Sequence, residues 1–385
     1  MASVEKRGAR YVARWRDADG RQRAKTFDRK RDASAFLERV GSALQAGVYV
    51  DPKAGRITVG DFSEKWLETL GHLKPTTRAS YVSTLEVHVL PRWGSTPLNR
   101  VEHEDVAAWV SSMVAEGRSP SIVAKAHRVL SLMLALAVRG RRLTTNPADD
   151  VRLPRMRKPD KRFLTHEQVA QLASAAGSDW EADEGLVIAG RAQDRVLVLV
   201  MAYCGLRWGE ASALRVGRVD LMRRRLEVAE AVSEVNGALT WGAPKGHKRR
   251  SVPVPKFVAD ALTEVMVGKG VDDLVFTTPR GAVLRRSNWR RDVFDRAASA
   301  VDLEGLTPHE LRHTAASLGV QAGANVKAVQ RMLGHASAAM TLDVYSGLFD
   351  DDLDGVADRL DEQGNVYGSC TEGEVIPLRR AGDAR

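Results

Sequence analysis

The chain is 385 residues long, room for two or three domains, and its 44% hydrophobic content is that of an ordinary globular protein and not of a fibrous or disordered one. Lys and Arg outnumber Asp and Glu by 58 to 49, giving a formal charge of +9 and a pI of about 9.6, so a polyanionic partner is expected. Two cysteines, Cys204 and Cys370, are too few for a disulfide framework or a Cys-rich zinc site and fit a reducing compartment. The opening MASVEKRGAR lacks the apolar core of a signal peptide, and the longest apolar run, VLVLVMAYC from Val196, is about half a membrane span. A cytoplasmic protein with no membrane segment is expected.

Over residues 1–56 the stretches YVARWR and RQRAKTF alternate with the strand period and flank Asp19-Gly20, a strong hairpin signal. A strand around Val4–Arg7 would complete a three-stranded sheet. An amphipathic helix follows over 31–45, with Ala33, Phe36, Leu37, Val40 and Leu44 on one stripe. Arg14, Arg16, Arg23 and Lys25 alternate on the strands and are expected to make one sheet face cationic and DNA-binding.

Residues 57–153 carry helix patterns near 59–70, 76–89, 104–116 and 119–139, closed by NPADDV, and are expected to be all-α. Lys74, Thr76, Thr77 and Arg78 at one helix start, and Lys125 and Arg128 on another helix, suit phosphate contacts. A Pro- and Lys/Arg-rich linker, LPRMRKPDKR, spans 153–162.

The remainder, 154–385, reads as mainly α with a small antiparallel β-sheet. VLVLVMAYCGLRWGEASAL predicts a buried helix, a Gly break and a second helix. RRLEVAEAV, GALTW and RSVPVP predict strands, with a turn at Asn236-Gly237 and a very basic loop, APKGHKRR. Helices are expected over 258–267, 288–300, 308–322, 326–333 and 338–345. The tail 350–385 opens acidic and has no clear period.

The stretch LTPHELRHTAAS (306–317) contains H-E-x-x-H, the zinc-protease pattern. Thr307 and Glu310 also form a capping box with Pro308 at the first helical position, which gives Glu310 a structural task. Arg312 lies on the same helix face as His309, unfavourable beside a dication and favourable beside a phosphate. His335 could supply a third ligand, so spacing alone leaves zinc open. Taken singly, Arg207, Lys245, His309, Arg312, His335 and Tyr345 each also fit a structural role. A buried apolar role is expected for Cys204.

In this order the six match a known signature. Arg207 in GLRWGE, Lys245 in PKGHKRR, His309 and Arg312 in HELRHTAAS, His335 in LGH and Tyr345 in MTLDVY resemble the tyrosine recombinase, or phage-type integrase, family. TTRASYVSTLEVHVLPRWGSTPLNRV resembles its helical core-binding domain, and KTFDRKRDASAFLERV its small arm-binding domain. The resemblance implies an arm-type DNA-binding domain at 1–56, a core-binding domain at 57–153 and a catalytic domain with a C-terminal tail at 154–385. It implies a site-specific recombinase that integrates and excises phage or mobile-element DNA through a 3′-phosphotyrosine, with no cofactor and no metal.

In that reading Tyr345 is the nucleophile, Arg207 and Arg312 hold the phosphate, His309 accepts or shares the phenolic proton, His335 donates to the phosphate, Lys245 protonates the leaving oxygen, and Glu210 orients the cluster. The partners implied are double-stranded DNA at attachment core and arm sites, three further copies in a homotetramer, a host DNA-bending factor and an excision-directing factor. The setting implied is the nucleoid of a bacterial host. The rival readings are a non-catalytic helix-turn-helix protein using the helices of 308–333, and a zinc protease.

Overall fold

The computed structural model describes all residues except 1, 18–19, 47–48, 52, 157–161, 182–186, 245–248, 336, 338, 340–341, 343–359 and 362–385. Two compact units divide the chain, one to Pro159 and one from Asp160.

The first unit opens with an antiparallel sheet, β1 (Ser3–Arg7), β2 (Arg10–Arg16) and β3 (Gln22–Phe27), covered by α1 (Lys30–Gln45). Trp15 packs edge-on against Phe36 at 5.1 Å and donates its indole N–H to the Tyr49 hydroxyl at 2.9 Å. The register corrects the expected single cationic face. Cross-strand partners share a face, and Trp15 pairs with Arg23 and Ala13 with Lys25, while Arg14 pairs with Ala24 and Arg16 with Gln22. Arg23 and Lys25 therefore lie on the helix-covered side. There Arg23 binds Asp17 (2.8 Å) and Asp51 (2.7 Å), and Lys25 sits over the Phe36 ring. Arg14 and Arg16 lie on the outer face, where the β1–β2 register adds Arg7 and Arg10.

The helical part of this unit comprises α2 (Val59–Glu68), α3 (Pro75–Thr84), α4 (Leu90–Trp93), α5 (His103–Ala115) and α6 (Pro120–Arg139). The single helix expected over 76–89 instead contains a π turn, Leu85–Val89, in which the Leu90 N–H reaches Leu85 O. Pro91 has no N–H to return to Val87, so the wider turn absorbs the missing bond. α6 has the length and mean hydropathy, 1.6, of a membrane span. Val123, Ala126, Val129, Leu130, Met133, Leu134 and Ala137 nevertheless recur along it at helical spacing and are buried in a core shared with Phe62, Trp66, Trp93 and Trp109.

The second unit is built around α8 (Ala192–Cys204), whose residues from Val196 to Ala202 are all buried. Before it come α7 (His166–Gly177), absent from the sequence reading, and the short hairpin β4 (Trp180–Glu181) and β5 (Val187–Ile188). After it, α9 (Trp208–Ala211) is one turn long, where a full second helix was expected. The β region forms two sheets: β6 (Val219–Asp220), β7 (Arg225–Val228) and β10 (Arg250–Pro253) in order β10-β7-β6, and a separate hairpin of β8 (Ala231–Val235) and β9 (Ala238–Gly242). Asn236 (φ 50°) and Gly237 (φ 78°) form the hairpin turn where the sequence placed it.

Among the described residues the unit continues with α10 (Lys256–Met266), α11 (Arg286–Trp289) running through a π turn into α12 (Asp295–Ser299), and α13 (Pro308–Gln321). The next helix, α14 (Val326–Leu333), packs against α13 and β10. Among the described residues the structure is mainly helical with small antiparallel sheets. The helix expected over 338–345 falls largely outside the described residues.

Leu130 is fully buried in the first core, so Leu130→Ala should lower unfolding free energy by about 2–5 kcal/mol. Urea denaturation should show a lower midpoint with an unchanged slope.

Candidate active site

Two helix ends create the site. α8 stops at Gly205 in the left-handed conformation (φ 63°), and α14 stops at Gly334 in the same conformation (φ 64°). The positive φ of Gly205 favours glycine, and a Cβ there would come 2.6 Å from Leu333 Cδ2 and force that side chain to shift. The sharp turn at Gly205 delivers Arg207 to the N-terminus of α9, and the one at Gly334 delivers His335.

Arg312, on α13, joins these ends. The residue is 2% exposed, and Nη1 donates to Gly205 O while Nη2 donates to Leu333 O. Carbonyls at a helix C-terminus have no intrahelical partner and carry the negative end of the helix dipole, so a cation suits both.

Glu210, on α9, is the buried counter-ion. Its Oε2 accepts from the Arg207 backbone N–H (2.9 Å) and its Oε1 from Arg207 Nη1 (3.0 Å). From β10, Arg250 grips the same carboxylate with Nη1 (2.9 Å) and Nη2 (2.6 Å), and gives its Nε–H to Met332 O (2.9 Å). Burial by itself would raise the Glu210 carboxyl; the hydrogen bonds and charges of Arg250 and Arg207 reverse this and hold it below the usual range.

His335 is half-buried, and its carbonyl accepts from Gln330 Nε2 (3.1 Å). Burial first, then the positive fields of Arg312 and Arg207, with His313 and Arg250 behind them, push its pKa down to about 4 from 6.5. The imidazole is therefore neutral near pH 7. Arg207 and Arg250 share the Glu210 carboxylate, and Arg312, Arg207 and Arg250 all act on His335, so among the described residues positive charge gathers at this point.

His309 is exposed on the first turn of α13, with the His313 ring 5.0 Å away edge-on. Glu310 accepts from the Thr307 N–H (2.7 Å) and hydroxyl (2.9 Å), so its carboxylate serves the helix start. Among the described residues no three His, Cys, Asp or Glu side chains group as a metal site. Cys204 is fully buried, which pushes its thiol up to about 12. Lys245 and Tyr345 lie outside the described residues.

In the first unit Lys74 precedes α3, and Lys74, Thr76 and Arg78 are exposed, with Thr77 half-buried. Lys125 and Arg128 are exposed one turn apart on α6. The sequence reading missed two features here and in the site. His88, on the π turn, lies in the field of Arg118 and Lys125; burial first, and then those charges, lower its pKa. Arg250 also went unnoticed, although it is in phase with the buried Val252 on β10, the mark of an inward-pointing charge.

A family model described as "Phage integrase family" matches residues 162–351, and "Phage integrase, N-terminal SAM-like domain" matches 58–114. The chain is 30% identical over 241 residues to tyrosine recombinase XerC of Corynebacterium efficiens, covering 62% of this chain and 71% of that one. It is 26% identical over 336 residues to the integrase of Mycobacterium phage D29, covering 83% and 84%. Among solved structures it is similar to the Tn1549 transposon integrase in complex with transposon right end DNA (TM-score 0.65, 23% identity, 79% of this chain and 100% of that one). It is also similar to a lambda integrase tetramer bound to a Holliday junction (TM-score 0.57, 18% identity, 87% and 96%).

The folded protein holds His335 neutral where the unfolded chain takes up a proton, so His335 costs stability as pH falls from about 6.5 towards 4 and contributes nothing above that window. NMR titration of the DNA-free protein should give a midpoint near 4 for His335. His335→Asn should reduce the loss of stability between about pH 7 and pH 5 in chemical denaturation.

Proposed function

The chain belongs to the phage integrase family of tyrosine recombinases and is a site-specific DNA recombinase, and from that premise we propose how its residues divide the chemistry. The observation that carries the assignment is the convergence of Arg207, Arg312 and a neutral His335 at the two left-handed helix ends.

A phosphodiester repels nucleophiles, so its cleavage needs fixed positive charge on the non-bridging oxygens and a nucleophile of the protein's own. Arg207 and Arg312 are permanently charged and supply the first. His335, neutral, adds one N–H without competing for the proton balance. The Tyr345 hydroxyl attacks phosphorus; its proton passes to His309 or to water through it. The bond from phosphorus to the 5′ oxygen breaks, Lys245 protonates that oxygen, and a 3′-phosphotyrosine with a free 5′ hydroxyl results. Phenol is a better leaving group than an alcohol, so the phosphodiester bond energy is kept and a second 5′ hydroxyl reverses the step on another strand. No metal and no cofactor enters this scheme.

The wider assignment follows the same premise. Residues 1–56 bind arm sites through Arg7, Arg10, Arg14 and Arg16 on the outer sheet face. Residues 57–153 bind core sites through Lys74, Thr76, Thr77, Arg78, Lys125 and Arg128. Residues 154–385 cut and rejoin. Four copies act on two duplexes through a Holliday junction, in the cytoplasm on the bacterial nucleoid. A host DNA-bending factor and an excision-directing factor set direction, and the product is integrated or excised phage or mobile-element DNA.

Tyr345→Phe should bind a core site as the wild type does and give no covalent adduct on a nicked suicide substrate. An adduct in the Phe variant removes Tyr345 from its role, and binding without adduct in the wild type returns the protein to the non-catalytic reading.

Lys245→Ala should lose about 10²–10⁴-fold in cleavage of ordinary DNA and regain most of it when sulfur replaces the bridging 5′ oxygen, because a thiolate leaves without a proton. Arg207→Ala should not be rescued. Rescue of a Lys248 variant in place of Lys245 would move the general acid three residues along the chain.

A further inference from the structure

Arg250 has no part in the chemistry assigned above, yet its geometry is more constrained than that of any surface arginine. Its side chain is 10% exposed. All three nitrogens of the guanidinium are committed: Nη1 and Nη2 to the two oxygens of Glu210, and Nε to Met332 O. The side chain also lies across Gly334, where an added Cβ would come 3.0 Å from Arg250 Cδ and 3.2 Å from Nε. One residue of β10 therefore touches the carboxylate that holds Arg207, and it touches the backbone on both sides of Leu333, next to the carbonyl that holds Arg312 and just before His335.

The alternatives fail on this geometry. A purely structural ion pair would not need to span three elements, and an exposed phosphate contact would not be nine-tenths buried. Buried ion pairs add little to stability on average, so their retention calls for another reason. Glu210 is 1% exposed and would be a strongly disfavoured anion without Arg250.

We propose that Arg250 is a positioning residue for strand cleavage: by keeping Glu210 ionised and in place it fixes the Arg207 guanidinium, and by bracing Met332 and Gly334 it fixes His335. This rests on the recombinase reading of the same site. Arg250 does not touch the reacting phosphate. It acts through Glu210 and the α14 terminus.

The role makes a pH signature. In the wild type the Glu210 carboxyl stays ionised well into acid. Without Arg250 the carboxylate remains buried and loses its main partner, so its pKa rises. Protonated Glu210 no longer accepts from Arg207 Nη1 with full charge, and Arg207 is released.

The test uses the full chain and single-turnover adduct formation on a nicked core-site DNA. Arg250→Ala should bind that DNA as tightly as the wild type within about twofold and cleave about 10²-fold more slowly. Its rate should fall further as pH is lowered from about 8 to about 5, and more steeply than the wild-type rate does over the same range. Arg250→Lys, with charge and no fork, should be intermediate. Adding Glu210→Gln to Arg250→Ala should return the acid sensitivity to that of the wild type, because no carboxyl remains at 210 to titrate.

A wild-type rate in Arg250→Ala, a rate loss with no acid sensitivity beyond that of the wild type, or a loss matched by an equal loss of DNA affinity would each overturn the proposal. Should Arg250→Ala not fold, Arg250→Lys and Glu210→Gln carry the test: their losses overlap in the double variant if Arg250 acts through Glu210 and multiply if it does not. Wild type and Tyr345→Phe, run beside them, judge the recombinase reading separately.

Discussion

A buried guanidinium holding two helix ends together is the constraint from which the catalytic unit follows. Arg312 donates to Gly205 O and Leu333 O, and those carbonyls close α8 and α14. Both helices must end in the left-handed conformation to aim their last carbonyls at one cation, and both do so at glycine. A side chain at Gly205 would meet Leu333, and one at Gly334 would meet Arg250. The same turns launch Arg207 and His335, so the residues that would face a phosphate are placed by the geometry that neutralises the helix ends.

Charge balance gives the pocket its character. Glu210 is shared by Arg207 and Arg250, and Arg312 is matched by carbonyl dipoles. Burial first, and then the positive charge of Arg312, Arg207, His313 and Arg250, favour the neutral form of His335. Partial dipoles stabilise a cation without cancelling its field, so attraction for an incoming anion survives burial.

Much of this was legible in the sequence because it rests on local rules. The apolar run before Gly205 announced a buried helix and a break. Thr307, Pro308 and Glu310 announced the start of α13, and Asn236-Gly237 the hairpin. What escaped depends on relations between segments. Strand alternation was read correctly within β2 and β3, but the phase between them is set by the turn at 17–21, and so Arg23 and Lys25 were given the wrong face. The π turns at Leu85–Val89 and Arg290–Phe294 leave the apolar stripe nearly intact, so a period of 3.6 residues conceals them. Arg250 sat inside a run of basic residues that looked like a solvated loop, and only the inward phase of β10 separates it from its neighbours.

The clamp around Arg312 draws on residues from α8, α9, β10, α13 and α14, which come from distant parts of the chain. Such non-local contacts close late, after long loops have been ordered. A nascent chain that has not yet released α14, or one clipped before Leu333, has no second carbonyl for Arg312 and no seat for His335. The pocket thus stays incomplete until synthesis and folding of this unit reach the end of α14.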